Sequence, residues 1–307
     1  MERLILHSDA NSFYASVECL YDPDIRDKPV AVCGDPEHRH GIVLAANRIA
    51  KKMGVKTGMA VWQAKEACPL WVAVPPDYSL YLHFSKMLRG IYNDYSDRVE
   101  SFGLDEAWVD ISQRNRTFKD AEHIANEIRE RVKYELGITV SVGVSFNKVL
   151  AKLGSDMKKP DATTVIPRDG FREIIGGLPV SDLLYVGPST TRKLMDRCIR
   201  TIGDLERADT DMIRLLLGKN GLILKAYAQG WDVSPVMPVD AEAAIKSIGN
   251  STTPPHDIET LDDARCLYFM LAESISARLR ENGFRAQVIS ISARTTDLVS
   301  GACQQTI

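Results

Sequence analysis

The residues best placed to do chemistry are three carboxylates: Asp9, Asp105 and Glu106. Asp105 and Glu106 are neighbours in Phe102-Gly103-Leu104-Asp105-Glu106-Ala107-Trp108-Val109-Asp110, a stretch that otherwise reads as strand. Successive strand side chains point to opposite faces, so adjacent carboxylates in a regular strand could not share one site. Gly103 lifts that restriction, because glycine in a strand marks a bend or tight turn. At a hairpin tip both carboxylates can point towards one pocket, where they repel unless a cation holds them. A solvated polar turn is the plain alternative. Asp9 weighs against it. It ends the apolar strand Leu4-Ile5-Leu6-His7 and stands just before a helix start at Asn11, a good N-cap candidate. Free backbone N–H groups point outward at such a place, which suits phosphate and metal chemistry. Three such carboxylates suffice for two hard divalent cations of the magnesium type.

The segment Asp9-Ala10-Asn11-Ser12-Phe13-Tyr14-Ala15-Ser16-Val17-Glu18 resembles the N-terminal motif of the Y-family translesion DNA polymerases. Phe102-Gly103-Leu104-Asp105-Glu106-Ala107 looks like that family's second carboxylate motif, with Gly103 where Ser is usual. Ser141-Val142-Gly143-Val144-Ser145-Phe146-Asn147-Lys148-Val149-Leu150-Ala151-Lys152 is a third match. The resemblance runs from Arg3 to about Arg294 and is closest to the bacterial polymerase IV and UmuC-like branch. Together, and in this order, the motifs are highly specific.

The bulk properties bound what surrounds these carboxylates. A chain of 307 residues should hold two or more domains. Its 45% hydrophobic and 26% charged residues are ordinary for a soluble globular protein. No apolar run approaches the ~20 residues needed to cross a membrane, and no signal peptide opens the chain. The six cysteines are scattered without a Cys-x-x-Cys pair, which fits reduced thiols in a cytoplasmic protein. A net charge of −3 gives no global basic footprint, so any nucleic-acid contact must rest on local charge.

Along the chain, residues 1 to 18 read as strand then helix. Strands are expected over Pro29–Gly34, Gly41–Ala46 and Trp71–Val74, with short helices over Asn47–Met53 and Met59–Cys68. A long helix should run from about Tyr78 to Tyr95, before the carboxylate hairpin. Thr117–Leu136 carries Ala121, Ile124, Ala125, Ile128 and Val132 at helical spacing, opened by a Thr117/Asp120 capping box and closed by Gly137. Thr139–Val144 reads as strand and Asn147–Met157 as helix. That alternation is ferredoxin-like, as the family's palm is. From 167 to 233 strand patterns give way to short helices. There Leu183–Leu194 resembles a helix-hairpin-helix, a turn whose helix N–H groups bind DNA phosphate without reading sequence. An ordinary helical subdomain is its alternative, and Gly218-Lys219-Asn220-Gly221-Leu222 is a possible second turn. Residues 234 to 243 read as a linker. Beyond them a strand-like entry at Lys246–Thr253, a helix from Leu261 to Leu279, and the strand Gln287–Arg294 form a β-α-β start. Ile289, Ile291 and Ala293 should face the helix, and Ser290, Ser292 and Arg294 should face outward.

The resemblance implies an α+β right-hand polymerase: palm 1–18 and 78–166, small fingers 19–77, helical thumb 167–233, linker 234–243, and an incomplete little finger 244–307. The missing part of that last unit is expected in a longer chain, with a sliding-clamp contact beyond Ile307. A monomer using Mg2+, dNTPs and primer-template DNA is implied. Asp9 and Asp105 would hold both ions, Glu106 the ion nearer the primer, and the Ala10 carbonyl would complete the other site. Tyr14 matches the steric gate, an aromatic ring that leaves no room for a 2′-hydroxyl. Core packing is its alternative; Phe13 beside it is also expected at the nucleotide, but the two rings cannot point the same way on a helix, so one packs and one gates. Ser12, Ala45, Arg48, Lys51 and Lys159 would line the triphosphate, although the family commonly has Thr, Tyr and Arg where Ala45, Arg48 and Lys51 stand. Ala45 and Ala46 would leave space over the nascent base pair. DNA contacts are expected from Gly187, Ser189, Thr190, Lys193, Lys246, Ser290, Ser292 and Arg294. His38 and His40 have metal-like spacing, but their polar loop favours solvent. Two other functions compete: a catalytically inactive DNA-binding accessory protein of the same family, and a nucleotide cyclase. The retained carboxylates weigh against the first and the helical region after 167 against the second.

Overall fold

The computed structural model describes residues 2–34, 41–112, 116–241 and 244–307, so His38 and His40 lie outside the described residues. Two compact units emerge, with the boundary near Ala241.

In the first unit, β1 (Ile5–Ala10) is buried along its whole length. The chain turns through Ser12, whose φ is 51°, into α1 (Phe13–Tyr21). Asn11 is therefore not the N-cap. Its amide instead donates to the Thr139 hydroxyl at 3.1 Å and accepts from the Ser141 hydroxyl at 3.0 Å, pinning the strand end to a neighbour. β2 (Val30–Cys33), β3 (Val43–Ala46) and β4 (Val72–Val74) form a small sheet in the order β3-β2-β4. α2 (Arg48–Lys52) and α3 (Val61–Ala67) lie between its last two strands in the chain. Asn47 caps α2 through the Ala50 N–H at 2.9 Å while donating to the Lys28 carbonyl, so the helix start is tied to β2.

α4 (Tyr78–Asn93), β5 (Val99–Phe102), β6 (Glu106–Asp110), α5 (Phe118–Arg131), β7 (Val140–Ser145), α6 (Lys148–Met157) and β8 (Thr163–Ile166) follow. α5 carries the expected Thr117/Asp120 capping box. The large sheet has the order β5-β6-β1-β7-β8. Its first four strands have the ferredoxin-like arrangement. β8, absent from the sequence expectation, joins parallel to β7 through the α6 crossover. Strand alternation sorts β1 by face. Leu4 and Leu6 enter the core with Leu88 of α4 and Ile128 of α5. Ile5 packs with Trp108 and with Ala151 of α6 on the other side. His7 and Asp9 share the parity of Ile5 and so look towards α6.

α7 (Phe171–Ile175), α8 (Pro188–Met195), α9 (Ile202–Arg207) and α10 (Thr210–Ala228) complete a second core. Gly218, at φ 64° and ψ −147°, breaks α10 where the sequence suggested a turn. Residues 234 to 241 are not a free linker. Val236 is fully buried with Ile5 and Trp108, a gain of roughly 1.5–3 kcal/mol for such a side chain. Arg3 donates to the Ser234 carbonyl at 2.6 Å, and the N–H groups of Met237 and Val239 donate to Glu100 and Asp97. The segment's composition reads as a linker, but one buried apolar side chain and three hydrogen bonds to its backbone strap it down.

The second unit holds α11 (Leu261–Glu281) and the hairpin of β9 (Val288–Arg294) with β10 (Ser300–Thr306). Lys246–Thr253 forms no strand. Arg278 of α11 donates to the Gly249 carbonyl and Asn250 donates to Ser274, so this stretch is attached by side chains instead of a ladder. Ile289 and Ile291 keep 50% and 46% exposure and are not covered by α11 as expected. The alternation is real, yet this two-stranded ribbon offers no closed face to bury it. Among the described residues no helix is long and apolar enough to cross a membrane.

Candidate active site

The carboxylates meet because of strand register. β1 and β6 run antiparallel with Asp9 opposite Glu106 and His7 opposite Trp108. Directly opposed residues share a face, so Asp9 and Glu106 project together on the α6 side. Gly103, at φ 82°, makes the turn that precedes them, a conformation L residues adopt only under strain. Asp105 follows in that turn, and its carbonyl accepts the Ala10 N–H at 3.0 Å. The hairpin tip is thereby tied to the residue after Asp9. Burial, then the charges of Asp9 and Glu106, push the Asp105 carboxyl up to about 6. Glu106 is held well below the ordinary carboxylate range: burial opposes ionisation, but His7 and Lys152 outweigh it.

α6 supplies the countercharge. Lys152 Nζ reaches Asp9 Oδ2 at 3.0 Å, Glu106 Oε2 at 2.7 Å and Asp156 Oδ2 at 3.2 Å. Lys159 Nζ, expected near the triphosphate, reaches Asp9 Oδ2 at 2.6 Å and Asp156 Oδ1 at 2.8 Å. The helix comes this close because Gly143 on β7 has no side chain; a Cβ there would fall inside the Ala151 carbonyl. His7 is fully buried, with Nε2 3.1 Å from Glu106 and Nδ1 2.9 Å from Ser155 Oγ.

The donor set is made of hard carboxylate oxygens, which match magnesium-type cations and not softer metals. Among the described residues no three His, Cys, Asp or Glu side chains converge tightly enough to grip an ion as they stand. Instead two ammonium groups sit on Asp9, one of them also on Glu106, while at Asp105 burial and the repulsion of Asp9 and Glu106 outweigh the relief from Lys159. Cationic charge is thus what this cluster takes up. Divalent ions fit it once the carboxylates leave the lysines.

The two rings after Asp9 differ in burial. Phe13 is 2% exposed in the main core. Tyr14 is half-buried, packs against the edge of the same core and stacks on Tyr81 of α4, and burial, then the Asp105 charge, raises its hydroxyl pKa. Ser12 accepts a hydrogen bond from Lys51 Nζ at 2.9 Å, so α2 does reach this site. Arg48 is exposed one turn earlier, and Ala45 is half-buried on β3. Ala46 is not part of the opening. It is fully buried in the small-sheet core, because adjacent strand residues face opposite ways.

The expected DNA contacts are elsewhere. Gly187 caps α8, with Ser189, Thr190 and Lys193 along its first two turns, and Thr190 and Lys193 line a groove of about 550 Å³ with Tyr185 and Asn220. Lys246 is exposed in the second unit, where Ser290 and Ser292 lie on β9 and Arg294 Nε donates to Ser300 at 3.1 Å. Residues the sequence reading did not single out are His7, Lys152, Asp156, Glu18 and Tyr81. His7 had a legible signal, standing two positions before Asp9 on one strand face. Lys152 and Asp156 had helical spacing but no sign of where α6 would lie.

Residues 8–156 match the impB/mucB/samB family, and residues 245–307 match the C-terminal domain of that family. The chain is 56% identical over 298 residues to DNA polymerase IV of Acetivibrio thermocellus, covering 97% of this chain and 75% of that protein. It is 40% identical over 295 residues to DNA polymerase IV 1 of Bacillus subtilis, covering 96% and 71%. A solved Y-family DNA polymerase chimera superposes with a TM-score of 0.88 at 25% identity, covering 99% of this chain and 88% of that one.

Proposed function

The chain belongs to the impB/mucB/samB family of Y-family DNA polymerases, and from that premise we propose how its residues divide the work of nucleotidyl transfer. It is a template-directed DNA polymerase of low fidelity that adds dNTPs to a primer end across damaged templates, and its fold is the right hand of that family. The five-stranded sheet and its helices form the palm, the small sheet the fingers, α7 to α10 the thumb, and the second unit part of the little finger.

The observation that carries the site is the Asp9–Glu106 pairing, with Ala10 bonded to Asp105 at the adjoining hairpin tip. Asp9 and Asp105 would hold two magnesium ions, with Glu106 assisting one of them and the Ala10 carbonyl the other. Such ions, when bound, neutralise phosphoryl charge and make the attacking hydroxyl a better nucleophile. His7 orients Glu106, and Lys152 offsets the charge of Asp9 and Glu106 until the ions take its place. Lys159, Lys51 and Arg48 turn to the outer phosphates, which their positive charge suits. Tyr14 excludes the 2′-hydroxyl. The turn before α8 and exposed residues of the second unit grip DNA phosphates. A monomeric cytoplasmic enzyme that contacts a sliding clamp belongs to the same proposal.

Primer extension with Asp105→Ala and Glu106→Ala tests the assignment. Both variants should lose extension while remaining folded and keeping their duplex affinity. Extension comparable to the parent would sink the metal roles.

A further inference from the structure

Tyr14 does not stand alone. Tyr81 of α4 lies against it in a near-parallel stack, with ring centroids 4.1 Å apart and planes 12° apart. Tyr81 is fully buried, whereas Tyr78, which meets Tyr14 edge-on at 6.1 Å, is half exposed. The hydroxyl of Tyr81 donates to Glu18 Oε1. Glu18 stands one turn after Tyr14 on α1, so both share one helix face. Tyr81 therefore touches that face at two points, ring on ring and hydroxyl on carboxylate. An unanchored aromatic pair could slide along its offset, since stacking has a shallow dependence on lateral position. A charge-assisted hydrogen bond at the far end of the ring removes that freedom. Burial and the Glu18 carboxylate both favour the protonated phenol, so the donor persists across working pH. Phe13, 6.2 Å away, closes the third side.

We propose that Tyr81, held by Glu18, is a positioning residue that fixes the height of the Tyr14 ring and so sets discrimination against ribonucleotides. The inference rests on the steric-gate reading of Tyr14. A gate rejects a single hydroxyl, and a shift of about 1 Å decides such a contact. The ring beneath the gate controls that shift without touching nucleotide.

The test is single-nucleotide insertion of dCTP and rCTP opposite template G, read as the ratio of their kcat/KM values. Tyr14→Ala should collapse the ratio. Tyr81→Leu, which removes the stack, should lower it about tenfold. Tyr81→Phe, which keeps the ring and loses the tether, should lower it about threefold. Rate constants for dCTP should fall less than the rCTP constants rise, a pattern that general loss of structure does not produce. Ratios within twofold of the parent for both Tyr81 variants, alongside a collapse for Tyr14→Ala, overturn the role of Tyr81. So does an equal fall in both efficiencies. A parental ratio for Tyr14→Ala instead refutes the gate itself. If Tyr81→Leu does not fold, Tyr81→Phe decides alone.

Discussion

At the scale of residues, Asp105 shows what the site costs the fold. Its carboxyl is pushed up to about 6 by burial and by Asp9 and Glu106. A carboxyl whose folded pKa lies above its unfolded value leaves stability intact below the unfolded value and removes it as pH rises through the folded one. The window is therefore about pH 4 to 6, and the penalty above it is at most about 3 kcal/mol. In EDTA, Asp105→Asn should unfold at a higher temperature than the parent at pH 7.5, with the difference closing by pH 4. A difference independent of pH would contradict the charge argument. The same variant should be inert in primer extension, as functional carboxylates trade stability for activity. Arg48 and Lys51 make a second residue-scale case. A guanidinium grips phosphate bidentately and an ammonium does not. Arg48→Lys should raise the dNTP KM several-fold with duplex affinity unchanged, and Lys51→Ala should raise it less. Saturation curves for insertion give the answer; unchanged KM and kcat for both would remove α2 from triphosphate binding.

At the scale of elements, the site is a contact between a helix and a sheet. Lys152 and Lys159 reach Asp9 only because α6 lies directly on Gly143. Gly143→Ala has no flexible side chain to push aside, only the Ala151 carbonyl and the backbone at Gly154 and Ser155. Overpacking of this kind costs about 1–3 kcal/mol or more. The thermal midpoint should drop by several degrees and extension should fall with it. A stable, fully active Gly143→Ala would mean that α6 can slide without consequence. The strap at Val236 works at this scale too, since it packs on Trp108, two residues after Glu106 on the same strand.

At the scale of the whole molecule, a net charge of −3 has to coexist with a polyanionic substrate. Binding must then come from local patches, through phosphates. Duplex affinity should fall by orders of magnitude between 50 and 200 mM salt, roughly as expected for several released counterions, and should not depend on base sequence. Filter binding or anisotropy on two unrelated duplexes at matched salt measures this. A strong sequence preference would give the turn before α8 a base-reading role and contradict binding through phosphates alone.

The sequence alone determined which residues are candidates for chemistry and in what order they come. Asp9, Gly103, Asp105 and Glu106 are legible because a strand forbids adjacent carboxylates from sharing a face unless a turn intervenes. Capping boxes, helical periodicity and Gly218 were legible for the same local reason. What it did not carry is the meeting of distant segments. That Asp9 faces Glu106 is a matter of register between strands about a hundred residues apart. That Lys152 neutralises them depends on a crossover helix landing on a glycine. That Tyr81 lies under Tyr14 depends on two helices on either side of the small sheet in the chain. Buried packing also decided that residues 234 to 241 are a strap, because one apolar side chain in a core outweighs a local composition that reads as a linker.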